Sequence, residues 1–185
     1  MRQKHGKDKI LKAALKLFAE NGYHRTSISQ IAAAADVSKG LTYNYFDSKE
    51  ELLLAIIDRA SGEMSNVANE MDGEASYQET LSHFLGQYIS FLKENREYLT
   101  FQLSLMFQPD LRKIVEAPLQ KRANHLLNQT IVMFKKAKVR KAKLVARRFL
   151  AELDGIALHE LAIFKDYPLE DMQNLLFKNY KDLQE

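Results

Sequence analysis

Apolar residues along this chain recur every three or four positions, and no segment alternates for long in the manner of a strand. Ile10, Leu11, Ala14, Leu15 and Phe18 mark one face of a first helix running to about residue 20, where Asn21 and Gly22 supply a left-handed stop. Ile28, Ile31, Ala32 and Ala35 mark a short second helix, opened by the capping box Ser27-Ile-Ser-Gln30. Asp36 and Val37 make a tight turn, and Ser38 caps a third helix. A second capping box, Ser48-Lys-Glu-Glu51, opens a fourth helix with Leu52, Leu53, Ile56, Ile57 and Ala60 on its apolar face, before the polar GEMSN at 62–66. The third helix has room for only about two turns, fewer than the roughly 12–15 residues an isolated helix needs in water, so its neighbours must hold it. Small alanines at 32–35 let the second and third helices cross closely at a steep angle, the geometry of a helix-turn-helix.

Farther on the helical stripes lengthen. Tyr77, Leu81, Phe84, Leu85, Tyr88, Ile89 and Leu92 form one; Tyr98, Phe101, Leu105 and Met106 form another before Pro109. A long segment follows over about 110–137, with Pro118 as a kink or junction. Helices over 142–165 and 169–183 complete the chain, the last opened by Pro168. The expectation is an all-α protein of about nine helices. Residues 1–50 are expected to form a three-helix domain with a helix-turn-helix, a helix over about 48–62 to connect, and 51–185 to form a second helical domain.

Charge sharpens this layout. The formal net charge is only +3, but residues 1–60 carry the whole excess, and Arg2, Lys4, Lys7, Lys9, Lys12 and Lys16 precede any acid except Asp8. Such a field draws polyanions, although a solvated helix face would carry the same charges. From Lys121 to Arg148 there are ten basic residues and no acid. This run is either a second nucleic-acid patch or, the plainer reading, an exposed turn whose cations stabilise the carboxyl end of the preceding helix; whether 135–148 contacts anything stays open.

Composition removes other classes. With no cysteine there is neither a disulfide framework nor a thiolate metal site, and no apolar run approaches 18 residues. A cytoplasmic protein without a membrane partner is expected. An enzyme needs converging nucleophile, base and oxyanion donors, or metal ligands. His5, His24, His83, His125 and His159 form no close metal pair, and no glycine-rich phosphate loop occurs. No catalytic residue, metal or cofactor is therefore expected.

The third helix carries the candidate chemistry. A recognition helix enters the major groove while flanking groups hold phosphates. Lys39 can reach a phosphate or a guanine edge, Gly40 lets the backbone approach closely, and Asn44 can pair bidentately with adenine. Tyr43 and Tyr45 can donate to phosphate oxygens, Ser38 stands at the helix start, and Lys49 lies where the next helix would bind an anion. Val37 and Phe46 are assigned to the small core.

The run from about 10 to 57, with LxxFAENGYHRTSISQIAAAADVSKGLTYNYFDSKEEL at its heart, resembles the DNA-binding domain of TetR-type bacterial transcriptional regulators. The resemblance implies that Lys39, Gly40, Leu41, Tyr43, Asn44 and Tyr45 face DNA and that Thr26, Ser27 and Lys49 hold phosphates. Leu41 before Thr42 departs from the family's usual order of a small polar and then an aliphatic residue; with the family's backbone kept, Leu41 faces the groove and Thr42 faces the core at some cost in packing, which makes the base preference this chain's own. The family also implies a homodimer on a near-palindromic double-stranded operator, a small apolar or amphipathic effector, and a ligand-released repressor whose fourth helix carries the switch. Candidate pocket residues are Tyr88, Phe91, Phe101, Phe107, His125, Phe149 and His159. Candidate dimer residues are Ala151, Gly155, Leu158 and Ala162, with Met172, Leu175, Leu176 and Tyr180 on the final helix. A DNA-binding dimer without effector, acting as adaptor for a protein partner, is the alternative; a helical enzyme is the remote one.

Overall fold

The computed structural model of the chain describes residues 2–69 and 75–183. The side chains of Arg2, Lys4, Ala60 and the GEMSN stretch lie outside the described residues. The described regular structure is helical: α1 (Arg2–Asn21), α2 (Ile28–Ala34), α3 (Lys39–Tyr45), α4 (Lys49–Asn69), α5 (Tyr77–Glu94), α6 (Arg96–Met106), α7 (Pro109–Lys136), α8 (Ala142–Leu158) and α9 (Leu169–Tyr180). A π-helical turn, His159–Ile163, continues α8.

Local chemistry sets the breaks. Gly22 at φ +81° ends α1, its NH donating to Phe18 O at 3.0 Å. Ser27 and Gln30 form the capping box of α2. After α2, Asp36 takes a left-handed φ of 54° while Val37 NH reaches back to Ala32 O at 3.0 Å. At α4 the box is displaced: Ser48 Oγ accepts from Glu51 NH, but the Glu51 carboxylate accepts from Asp47 NH rather than that of Ser48. Pro109 stands at the first position of α7, where its missing NH costs nothing, and the helix continues through Pro118.

The chain packs as two compact units, Met1–Ser61 with Glu97–Leu119, and Gly62–Arg96 with Gln120–Glu185. This differs from a boundary at residue 50. In the N-terminal unit Ile10, Phe18, Ile31, Phe46, Leu52 and Leu53 share one core with Tyr98, Phe101, Leu105, Leu111 and Val115. Phe18 stacks on Phe101 with ring centroids 5.9 Å apart. Phe101 is thus a core residue of this unit.

In the C-terminal unit Phe149 is the aromatic hub, 5.7 Å from Phe84, 5.6 Å from Phe134 and 4.8 Å from Tyr180 between centroids. Tyr180 is fully buried; its hydroxyl donates to Glu152 at 2.9 Å and accepts from Arg148 Nε at 3.0 Å. Tyr77 Oη donates to Tyr180 O at 2.6 Å, and burial, aided by Tyr180, pushes its pKa up to about 12. Tyr180 therefore belongs to the core rather than to a dimer face. The same holds for Leu176, only 3% exposed, because Leu169, Leu176 and Tyr180 set the inner phase of α9 and turn Leu175 outward instead. Arg96 braces the π turn through Glu160, donating to its carboxylate at 2.6 Å and its carbonyl at 3.0 Å.

Phe149→Ala should cost about 3–5 kcal/mol in urea unfolding, since it empties the centre of the aromatic cluster. Tyr180→Phe, which keeps the ring and removes the two hydrogen bonds of its hydroxyl, should cost about 1 kcal/mol in the same measurement.

Candidate nucleic-acid interface

Helix α3 is held from its inner side. Thr42 is fully buried, and its hydroxyl donates to Ser38 O at 3.4 Å, so the polar group is satisfied where it sits. Ser38 Oγ accepts from Leu41 NH at 3.0 Å, and Phe46 NH closes the helix on Thr42 O. These bonds fix the phase and leave Lys39, Gly40, Tyr43 and Asn44 exposed on one outward face. The Lys39 ammonium lies 5.9 Å above the Tyr43 ring. A Cβ built on Gly40 would meet nothing closer than Ser38 Oγ at 3.9 Å, so the bare backbone there is open to an approaching partner.

Leu41 and Tyr45 are half-buried at the margins of this face. The Tyr45 ring rests against α1 at Gly6, where a Cβ would stand 3.2 Å from the Tyr45 oxygen. Glycine at 6 makes that approach possible, and Tyr45 is shared between packing and the outer surface.

Two residues expected to hold phosphates do other work. Thr26 is 2% exposed, and its hydroxyl donates to Gly22 O at 2.9 Å and Leu17 O at 3.2 Å. Lys49 Nζ donates to the carbonyls of Tyr23, His24 and Thr26 at 2.9, 3.3 and 3.0 Å, and sits 4.4 Å over the Tyr23 ring. An ammonium has three donors, and all are spent. Partial burial lowers the Lys49 pKa. Thr26 and Lys49 thus fasten the turn between α1 and α2 instead of contacting DNA through these groups.

That turn borders a cleft of about 370 Å³ lined by His24, Arg25, Ser27, Tyr43, Asp47 and Ser48 among others. Ser27 and Ser48 stand at the starts of α2 and α4, so hydroxyls, helix ends and the Arg25 guanidinium border one opening, with Asp47 as the opposing charge. Arg25 Nε donates to Asn21 O at 2.8 Å, and His24 Nε2 lies 2.8 Å from Asp110 in the first turn of α7. Sequence reasoning missed Arg25 and His24; the signal was available only as two more basic groups beside a helix start. Lys9, Lys12 and Lys16 are exposed along α1.

The pocket candidates differ in setting. Phe107 is 81% exposed, while Phe149 is the centre of a filled core. Phe91 is buried, and Tyr88, also buried, donates to Leu153 O at 2.9 Å. His125 is exposed beside Gln129, and His159 packs against Phe164 and Tyr167. Of the dimer candidates, Ala151, Leu158 and Ala162 are exposed, Gly155 and Met172 are half-buried, and a Cβ on Gly155 would meet nothing within 4 Å. Among the described residues no helix is long and apolar enough to cross a membrane, and no acid or histidine cluster has the make-up of a metal site.

Residues 10–56 match the family model described as bacterial regulatory proteins, tetR family. The chain is 34% identical over 131 residues to the HTH-type transcriptional regulator YuxN of Bacillus subtilis, covering 64% of this chain and 44% of that protein. It is 30% identical over 115 residues to the fatty acid metabolism regulator protein of the same organism, covering 61% and 57%. The chain thus spans about half the length of these relatives. A crystal structure of a transcriptional regulator from Aquifex aeolicus VF5 superposes with a TM-score of 0.72 at 26% identity, over 95% of this chain and 98% of that one.

Lys49→Met, which keeps the stem and removes three charge-assisted hydrogen bonds, should lower the unfolding free energy by about 1–3 kcal/mol in urea titration. Equal midpoints for the parent and the variant would show that the carbonyls do not depend on the ammonium.

Proposed function

From residues 10–56, which make this chain a member of the tetR family of bacterial regulatory proteins, we propose a sequence-specific transcriptional regulator that acts as a homodimer on a near-palindromic operator and is released by a small effector. The carrying observation is the outward row of Lys39, Gly40, Tyr43 and Asn44 on a helix whose opposite side is fixed by buried Thr42. Such a helix presents cation, amide and phenol to the major groove. Ser27, Ser38, Leu41 and Tyr45 flank the reading face; Arg25 serves as a phosphate cation in the place expected of Lys49.

Residues 1–50 read DNA in this proposal, the helix over 48–62 leads out of them, and the remainder dimerises and binds the effector. Ala151, Gly155, Leu158 and Ala162 form an open, small-residue face on α8 and the turn after it, joined by Met172 and Leu175 of α9. Small residues permit close approach of a second copy, and a two-fold axis presents the same face from both sides. The two recognition helices must then stand about 34–36 Å apart, or a multiple, to enter successive major grooves. An effector acts by preferring a dimer with another spacing, with a coupling of typically about 1–3 kcal/mol. A fatty acid metabolism regulator among the relatives supports an amphipathic effector. The site of action is the cytoplasm.

Selection of bound duplexes from a random pool should return a near-palindrome for the parent. Asn44→Ala should relax the preference at one base pair, at a cost of about 1–3 kcal/mol against the best site. If the Lys39→Ala/Asn44→Ala variant binds every duplex as tightly as the parent, α3 is not the reader. Gly155→Leu should dissociate or misalign the dimer in sedimentation; an unchanged dimer moves the interface elsewhere.

A further inference from the structure

The turn from α7 into α8 breaks three local rules in the same direction. Lys138 occupies the left-handed position after α7 at φ 58°, with its NH on Lys135 O at 3.0 Å and Val139 NH on Phe134 O at 3.0 Å. Glycine is the preferred residue there, and a side chain carries a steric penalty. Lys141 repeats the penalty three residues later at φ 57°, as the residue before α8. That position favours Ser, Thr, Asp or Asn, yet α8 has no side-chain cap, no acid in its first turn, and Lys143 within it. Elsewhere the departures are single and milder: Ser27, Ser38 and Ser76 cap their helices, α9 lacks a side-chain cap but opens with Glu170 and Asp171, and the other left-handed non-glycine residue among those described is Asp36, a residue type that tolerates that backbone.

The charges are also crowded and unanswered. Lys135, Lys136, Lys138, Arg140, Lys141, Lys143 and Arg147 are all exposed, and none of the seven forms an ion pair among the described residues. Buried Val139 pegs the turn against Phe134, so the cations stand on a fixed support. Helix-end stabilisation accounts for Lys135 and Lys136 in the last turn of α7. It works against Lys141 and Lys143, which face the positive end of α8. Local stability is given up at several positions for cation density, and such conflicts between local and global preference mark functional surfaces.

We propose that the α7–α8 turn is a second nucleic-acid contact, one that binds phosphate backbone without regard to sequence and is separate from α3. The occupant follows from what the turn lacks. Protein partners are anchored by buried aromatic or aliphatic side chains, and the neighbouring aromatics Phe134 and Phe149 are both fully buried. An anionic membrane is held by a row of apolar residues beneath the cations, and here the exposed apolar side chains are two isolated ones, Leu144 at 63% on α8 and Val132 at 51% on α7, with Val139 between them turned inward. A phosphodiester backbone asks only for closely set cations, and the release of its counterions supplies the affinity.

The test uses the full chain carrying Lys138→Gly and Lys141→Asn, residues that suit left-handed backbone better than lysine. Binding to an operator-free duplex is titrated over a range of salt. The variant should bind more weakly, and the slope of log affinity against log salt should shrink by roughly 0.9 for each phosphate that the protein no longer neutralises. Its melting temperature should hold or rise, because strain and repulsion are both relieved. Repeating the titration on the Lys39→Ala/Asn44→Ala background separates this surface from α3, since the same weakening is expected whether or not α3 is the reader. An unchanged slope overturns the proposal. So does a variant that melts lower, which would give the lysines a structural role, or a weakening confined to anionic vesicles or polyglutamate with duplex binding intact.

Discussion

A seven-residue helix does not persist in water, because nucleation consumes more freedom than so few hydrogen bonds return. Everything around α3 answers that constraint. Its start is capped by Ser38, its inner side is seated by Thr42 and Phe46, and α1 and α2 pack behind it. The turn that links α1 to α2 is itself irregular backbone, and irregular backbone must find partners for its carbonyls. Lys49 supplies three of those partners from the first position of α4. The short helix thus rests on a tertiary clamp and is a product of the domain rather than a unit within it.

The division of labour between holding and reading was legible in part. Helix boundaries were accessible because serine caps, glycine stops and apolar periodicity are local signals; Ser27-Gln30, Gly22 and Ser38 all act where they stand in sequence. The inward setting of Thr42 followed from the family resemblance, which fixes the phase of the third helix. Its predicted packing cost is met by the hydroxyl's bond to Ser38 O, an interaction that needs the folded helix to exist. Thr26 and Lys49 were misassigned because a polar residue near a helix start looks alike whether it faces phosphate or carbonyl. Only distances separate the two.

Longer-range packing was less accessible for the same reason. The stripe containing Phe101 announced a buried helix face without an address, and its partner Phe18 lies more than eighty residues away in sequence. Leu175 and Leu176 are adjacent leucines, and which one turns inward depends on the phase that Leu169 and Tyr180 impose. In the C-terminal unit the aromatic residues that suggested a cavity instead fill one another's space around Phe149. Close packing of this kind leaves little room at the ring cluster itself and shifts attention to the polar edge where Tyr88, Arg122 and Asp154 interact.

The lysine-rich turn after α7 has a practical consequence for any search for effectors by thermal shift. Seven exposed cations without acidic partners repel one another, so any multivalent anion that condenses on them will raise the melting temperature by linkage. Phosphate buffer, heparin, nucleotides and acyl thioesters of phosphorylated carriers would all register as hits through their phosphates or sulfates, whether or not their remaining parts touch an effector site. A library measured at low ionic strength will therefore rank compounds by charge before chemistry, and the ranking will reorder as salt is added.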